Sequence, residues 1–94
     1  VKLLTKELKR KLPGFNIARH EAVAVAKFFT PWSNWTWYAA EYDPATRTFW
    51  GLVDGFGKEY GCFSLDELEQ VRGPHGLRIE RDLYFEPTPL KELE

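Results

Sequence analysis

Cys62, His20 and His75 are the residues whose types could carry nucleophilic chemistry, because a thiol beside an imidazole can be held as a thiolate and attack an electrophile. Their spacing matches no signature of such a pair, and a single cysteine in a strand is ordinarily a small core hydrophobe. One cysteine and two distant histidines also lack the paired ligand spacing of a zinc site. Glu80 and Asp82 alternate in an extended segment, whereas Asp66, Glu67 and Glu69 read as first-turn and solvent-face charges of a helix. Gly55 and Gly57 lack the lysine and following helix of a phosphate loop. The expectation is therefore no catalytic centre, no metal and no cofactor, with a small enzyme using Cys62 and a histidine ranked last among the readings.

Rings are the other residue type with chemistry to offer. Phe28 to Tyr42 crowds three of the four tryptophans and four other aromatic residues into fifteen positions. In a strand, period-two geometry sends Trp35, Trp37, Ala39 and Glu41 to one sheet face and Thr36, Tyr38, Ala40 and Tyr42 to the other. One helical layer covers only one of those faces, so some rings are half exposed or roofed by a loop or a partner. Trp32, on a turn beside Pro31, is the ring expected to be most exposed, while Ser33 and Asn34 shape that turn.

The elements that must position these rings are legible in order. Thr5 is a candidate N-cap for a short helix whose Leu4, Leu8 and Leu12 recur at four-residue spacing, and Pro13 and Gly14 stop it. Residues 15–21 read as a loop, and Ala22 to Phe29 as a strand with an alanine row on one side. Pro31 to Asn34 is a turn, followed by strands at Trp35–Tyr42, Arg47–Val53 and Lys58–Phe63, joined by an Asp43–Pro44 type I turn and a hairpin at Asp54–Gly57. In the third strand Phe49 and Val53 oppose Trp50 and Leu52; in the fourth, Tyr60 and Cys62 oppose Phe63. Short connections make the sheet an antiparallel meander, since parallel pairing needs long crossovers.

Ser64 and Glu67 have capping-box spacing with Phe63 and Leu68 at the staple positions, and Gly73 followed by Pro74 predicts a left-handed C-terminal stop after Arg72. Leu65, Leu68 and Val71 form this helix's apolar stripe. Residues 77–85 read as a further edge strand or extended segment. Thr88 is a candidate N-cap for a last helical turn starting at Pro89 and carrying Leu90 and Leu93. The fold class is thus α+β: a meander of about four strands, a short N-terminal helix, a capped helix after the fourth strand and a short C-terminal turn. Residues 1–94 form a single domain, as the length predicts.

The net charge of −1 hides an asymmetry. Residues 1–20 hold six basic side chains against Glu7, a balance of +5, and the remainder carries −6. A basic arm beside an acidic body either engages phosphates or neutralises the body across the fold, the second being the commoner case. No apolar run reaches the roughly 18 residues of a membrane span and no amino-terminal apolar leader is present, so a soluble, cytoplasmic protein without membrane association is expected.

Several strings carry a resemblance: Leu-Leu-Thr-Lys-Glu-Leu near the start, Lys-Phe-Phe-Thr-Pro with Ser-Asn-Trp-Thr-Trp-Tyr, Phe-Ser-Leu-Asp-Glu-Leu, Arg-Gly-Pro, and Ile-Glu-Arg-Asp-Leu before a Phe-x-Pro tail. In this order they resemble the bacterial family called domain of unknown function 2958 over nearly the whole chain. That family has no established activity, so the resemblance carries over no catalytic residues, and it implies a frequent location on plasmids and other mobile elements. An aromatic residue often stands at the place of Cys62 in that family, which argues against a nucleophilic thiol.

The expected function is a non-catalytic interaction module, with an accessory or counter-defence role on a bacterial mobile element resting on the resemblance alone. Its contact surface would be a rim of Trp32, Trp35, Trp37 and Tyr38 with Glu41 and Arg47 as polar neighbours, since Trp, Tyr and Arg dominate binding hot spots. The partner is an unidentified protein, and a homodimer is a further possibility for an aromatic sheet face. The alternative is single-stranded nucleic acid stacked on the rings, with Lys6, Lys9, Arg10 and Lys27 near its phosphates. Against it, basic residues are scarce among the rings themselves.

Overall fold

The computed structural model describes residues 2–16 and 19–94. Residues 17 and 18, within the expected 15–21 loop, lie outside the described residues. Arg19–Glu21 in the same loop forms a single 3-10 turn.

Thr5 caps α1 (Lys6–Lys11) as its spacing predicts, its hydroxyl accepting from the Leu8 amide at 3.2 Å. Four longer elements follow as the meander: β2 (Ala26–Phe29), β3 (Thr36–Asp43), β4 (Thr48–Asp54) and β5 (Lys58–Ser64). A two-residue strand, β6 (Glu80–Arg81), adds antiparallel to β2, giving the sheet order β5-β4-β3-β2-β6 among the described residues. Only this short piece of the expected 77–85 segment is strand. Between β5 and β6 lies α2 (Leu65–Gln70), whose Ser64 hydroxyl accepts from the Glu67 amide at 3.2 Å.

One sheet face carries Phe28, Trp37, Ala39, Tyr42 and Phe49, and is covered by Leu8 and Leu12 of the α1 region, Leu65 and Leu68 of α2, and Ile79. The other face carries Tyr38, Ala40, Trp50 and Leu52, and is covered by the carboxyl-terminal segment through Phe85, Leu90 and Leu93. That segment is fastened by β7 (Thr88–Pro89), which pairs antiparallel with β1 (Val23–Ala24), and by the 3-10 turn Leu90–Glu92. The tail thus roofs the second face.

Several expectations need correction. The Ala22–Phe29 strand is broken at Val25, where the chain passes from β7 to β3. Ala24 and Ala26 therefore serve opposite cores and do not form one row. Strict alternation along β3 fails because the register slips between Ala39 and Glu41, a bulge at Ala40. Beyond the bulge Tyr42 turns to the Trp37 face, and Glu41 to the Tyr38 face. Gly73 has φ −99° and is not a left-handed cap; α2 ends at Gln70 and Val71 is exposed. Arg72, with Arg78, instead donates to the freed Glu69 carbonyl at 2.8 and 3.2 Å. Thr88 is in a strand and does not cap the final turn. Cys62, expected as a core hydrophobe, is exposed on β5.

Candidate functional site

Two connections at one end of the sheet assemble the aromatic site. The first is the turn from Thr30 to Trp35, where buried Thr30 acts as the clasp. Its amide donates to the Trp35 carbonyl at 3.1 Å, its hydroxyl accepts from the Trp35 amide at 3.2 Å, and it shares a hydrogen bond with the Ser33 hydroxyl. The second is the β4–β5 hairpin at Asp54–Gly57, which presents Phe56 with its side chain 100% exposed.

Trp35 joins them. Its ring stacks on Trp37 at 5.9 Å and 28°, and meets Phe56 edge-on at 5.3 Å and 81°. Gly55 supplies the seat: a Cβ there would lie 2.2 Å from the Trp35 ring. Trp32 is seated in the same way, since a Cβ on Gly73 would lie 2.3 Å from its indole. Trp32 is therefore half-buried against the core, not the most exposed ring.

Trp35 also lines an open groove of about 510 Å³ along the β2–β6 edge, together with Phe29, Leu83 and Tyr84. Tyr84 is 92% exposed. Its turn is held by Asp82, whose carboxylate accepts from the Tyr84 amide at 2.9 Å and whose own amide donates to the Lys27 carbonyl at 2.9 Å.

The structure divides the rim expected from sequence. Trp32, Trp35 and Trp37 share one face. Tyr38 points to the other, against Phe85 at 5.9 Å, where burial and the charge of Asp54 raise its phenol above the ordinary range. Glu41 is 3% exposed and belongs to the core of the Tyr38 face, accepting from Arg19 Nε at 3.2 Å and from the Asn16 amide at 3.3 Å. Arg47 sits at the other end of β3, in a left-handed turn position (φ 54°), and pairs with Asp66 at 2.8 Å and Glu69 at 3.1 Å. It is committed to holding α2, and neither it nor Glu41 borders Trp32, Trp35 or Trp37.

Lys6, Lys9 and Arg10 come together at that same far end, beside Tyr42 and Pro44. Lys27 is apart from them, 3.8 Å from Asp82 and 5.9 Å from the Tyr38 ring centre. Among the described residues no hydrogen bond links Cys62 to His20 or His75, and no group of three or more His, Cys, Asp or Glu is placed to hold a metal. No helix of the described residues is long and apolar enough to cross a membrane.

Phe56 and Tyr84 are the site residues that sequence reasoning missed. The signal for Phe56 was present: a large ring between two glycines in Asp-Gly-Phe-Gly stands where the turn itself needs no side chain.

No curated protein and no solved structure matches the chain. The family model described as "Protein of unknown function (DUF2958)" matches residues 3–92, strings and intervening elements alike. The chain belongs to that family.

Proposed function

We propose that this protein is a non-catalytic interaction module that recognises a protein partner through the Phe56–Trp35–Trp37 ring stack. The reading rests on one observation: Phe56 is wholly exposed, yet its ring meets the Trp35 indole edge-on, and that indole is in turn stacked on Trp37. A bare Phe contributes nothing to monomer stability, whereas covering it on association gains roughly 1.5–3 kcal/mol. Preorganised rings surrounded by half-buried apolar neighbours are the usual anatomy of a binding hot spot. Tyr84 and the adjoining groove extend the surface beyond the stack.

The nucleic-acid reading draws less support: of its four cations only Lys27 lines the Trp35 groove, where it lies 3.8 Å from Asp82, whereas Lys6, Lys9 and Arg10 lie at the opposite end of β3. An accessory or counter-defence role on a bacterial mobile element follows the family resemblance and needs the partner's identity. A photo-reactive phenylalanine at position 56, introduced in bacterial cells carrying the native gene context, should crosslink to one protein. The same group at Glu67, exposed on α2, should not. Crosslinks to a second copy alone would make the surface a homodimer interface, and equal yields at both positions would refute the reading.

A further inference from the structure

The second unpartnered surface is electrostatic. Lys6, Lys9 and Arg10 rim a recess of about 520 Å³ whose floor and walls are Leu12, Tyr42 and Pro44. None of the three cations forms an ion pair among the described residues. The carboxylates nearby are already engaged: Glu7 pairs with Lys11 at 3.3 Å, Asp66 and Glu69 pair with Arg47, and Asp43 accepts from the Ala45 amide and Thr46 hydroxyl at 3.1 and 2.9 Å. Lys9 and Arg10 complement the dipole at the carboxyl end of α1, which explains their sign. It does not explain an apolar recess between them with no anion supplied from within.

We infer that this recess binds an acidic segment of a partner protein, carboxylates meeting Lys6, Lys9 and Arg10 and a short aliphatic side chain resting on Pro44 and the lysine stems. The absence of a ring face argues for peptide over nucleic acid: Tyr42 is 4% exposed and offers no platform for a base. A bilayer fits less well, since the exposed wall residues Pro44 and Gly14 provide no large side chain to insert. This surface is independent of the ring stack.

The test is a fluorescence-anisotropy titration with a labelled peptide of glutamates interspersed with leucines, run beside a Glu–Ser peptide of equal charge, oligo(dT), and phosphatidylserine–phosphatidylcholine vesicles. The Glu–Leu peptide should bind tightest and weaken with salt. Joint Lys6→Gln, Lys9→Gln and Arg10→Gln replacement should weaken it about tenfold. Gly14→Glu should do so comparably by supplying a counter-ion from within, and a Cβ at Gly14 meets nothing within 4 Å, so the fold is retained. No binding, an unchanged affinity in both variants, equal binding of the Glu–Ser peptide, or tighter binding of oligo(dT) or vesicles would overturn the inference.

Discussion

Trp50 and Trp35 sit on one sheet, on opposite faces and toward opposite ends, and their surroundings differ in kind. Trp50 is 8% exposed: Tyr60 stacks on it at 5.6 Å and 13°, the Arg19 guanidinium lies 4.4 Å over its ring, and Leu90 shares its cluster. Trp35 has comparable ring neighbours in Trp37 and Phe56, but the second of these is bare. What separates them is cover: Leu90 and Leu93 of the carboxyl-terminal segment pack on the Trp50 cluster, on the opposite face from Trp35, whereas Phe56 beside Trp35 is bare among the described residues. Ring density alone therefore does not identify a binding surface; which rings the remaining chain can reach decides it.

The comparison can be broken most forcefully at Trp50. Replacing it with Ala should cost about 3–5 kcal/mol in urea denaturation, since both a stack and a cation's seat are lost with the cavity. A cost near zero would mean the tail-side core is not a core. Leu90→Ala comes next, at about 2–4 kcal/mol. It asks whether the tail is a structural roof, and a negligible loss would turn the second face into a further candidate surface. Ser64→Ala should cost about 1 kcal/mol through loss of the cap at the Glu67 amide, checked by thermal unfolding.

A smaller effect concerns pH. Burial, then the hydrogen bond Tyr60 donates to Glu94 and that carboxylate's charge, push the Tyr60 phenol up to about 12. The unfolded chain loses this proton near pH 10 and the folded chain only near 12, so this contribution is complete below about pH 10 and declines as pH rises toward 12. Tyr60 is substantially exposed, so the decline is shallow. Tyr38 and Tyr42 are raised as well, so Tyr60→Phe should remove one late-titrating phenol from the tyrosinate absorbance and leave others; an unchanged late-titrating fraction in the variant would contradict it.

How much of this was readable from residues follows the range of the interactions. Caps are local: Thr5 and Ser64 each act three residues ahead, and both helices start where their spacing placed them. Hairpins are nearly as local, so β3, β4 and β5 fall within a residue or so of their expected limits. The bulge at Ala40 has no such signature, and one extra residue was enough to exchange the faces of Glu41 and Tyr42. Alternation alone therefore places Glu41 on the rim, whereas it is the buried partner of Arg19. The tail was harder still: Thr88 and Pro89 pair with Val23 and Ala24 across most of the chain, and nothing local in Pro-Thr-Pro announces a strand. The residues alone leave open whether a loop or a partner roofs the rings near β3, and the carboxyl-terminal segment supplies that roof for the Tyr38 face. Phe56 carries no periodic signal because it stands in a turn, where Gly55 and Gly57 account for the backbone and exposure of the ring depends on the tertiary fold.

If the proposed function holds, the rings divide into those the chain buries for itself and one stack open to a partner. Once the crosslinked partner is identified, its affinity and the melting temperature should be measured for Phe56→Ala against the unaltered protein. Binding should weaken by tenfold or more, on the usual scale of a hot-spot truncation, with stability unchanged to within about 0.5 kcal/mol. Unweakened binding, or a parallel loss of stability, would contradict it.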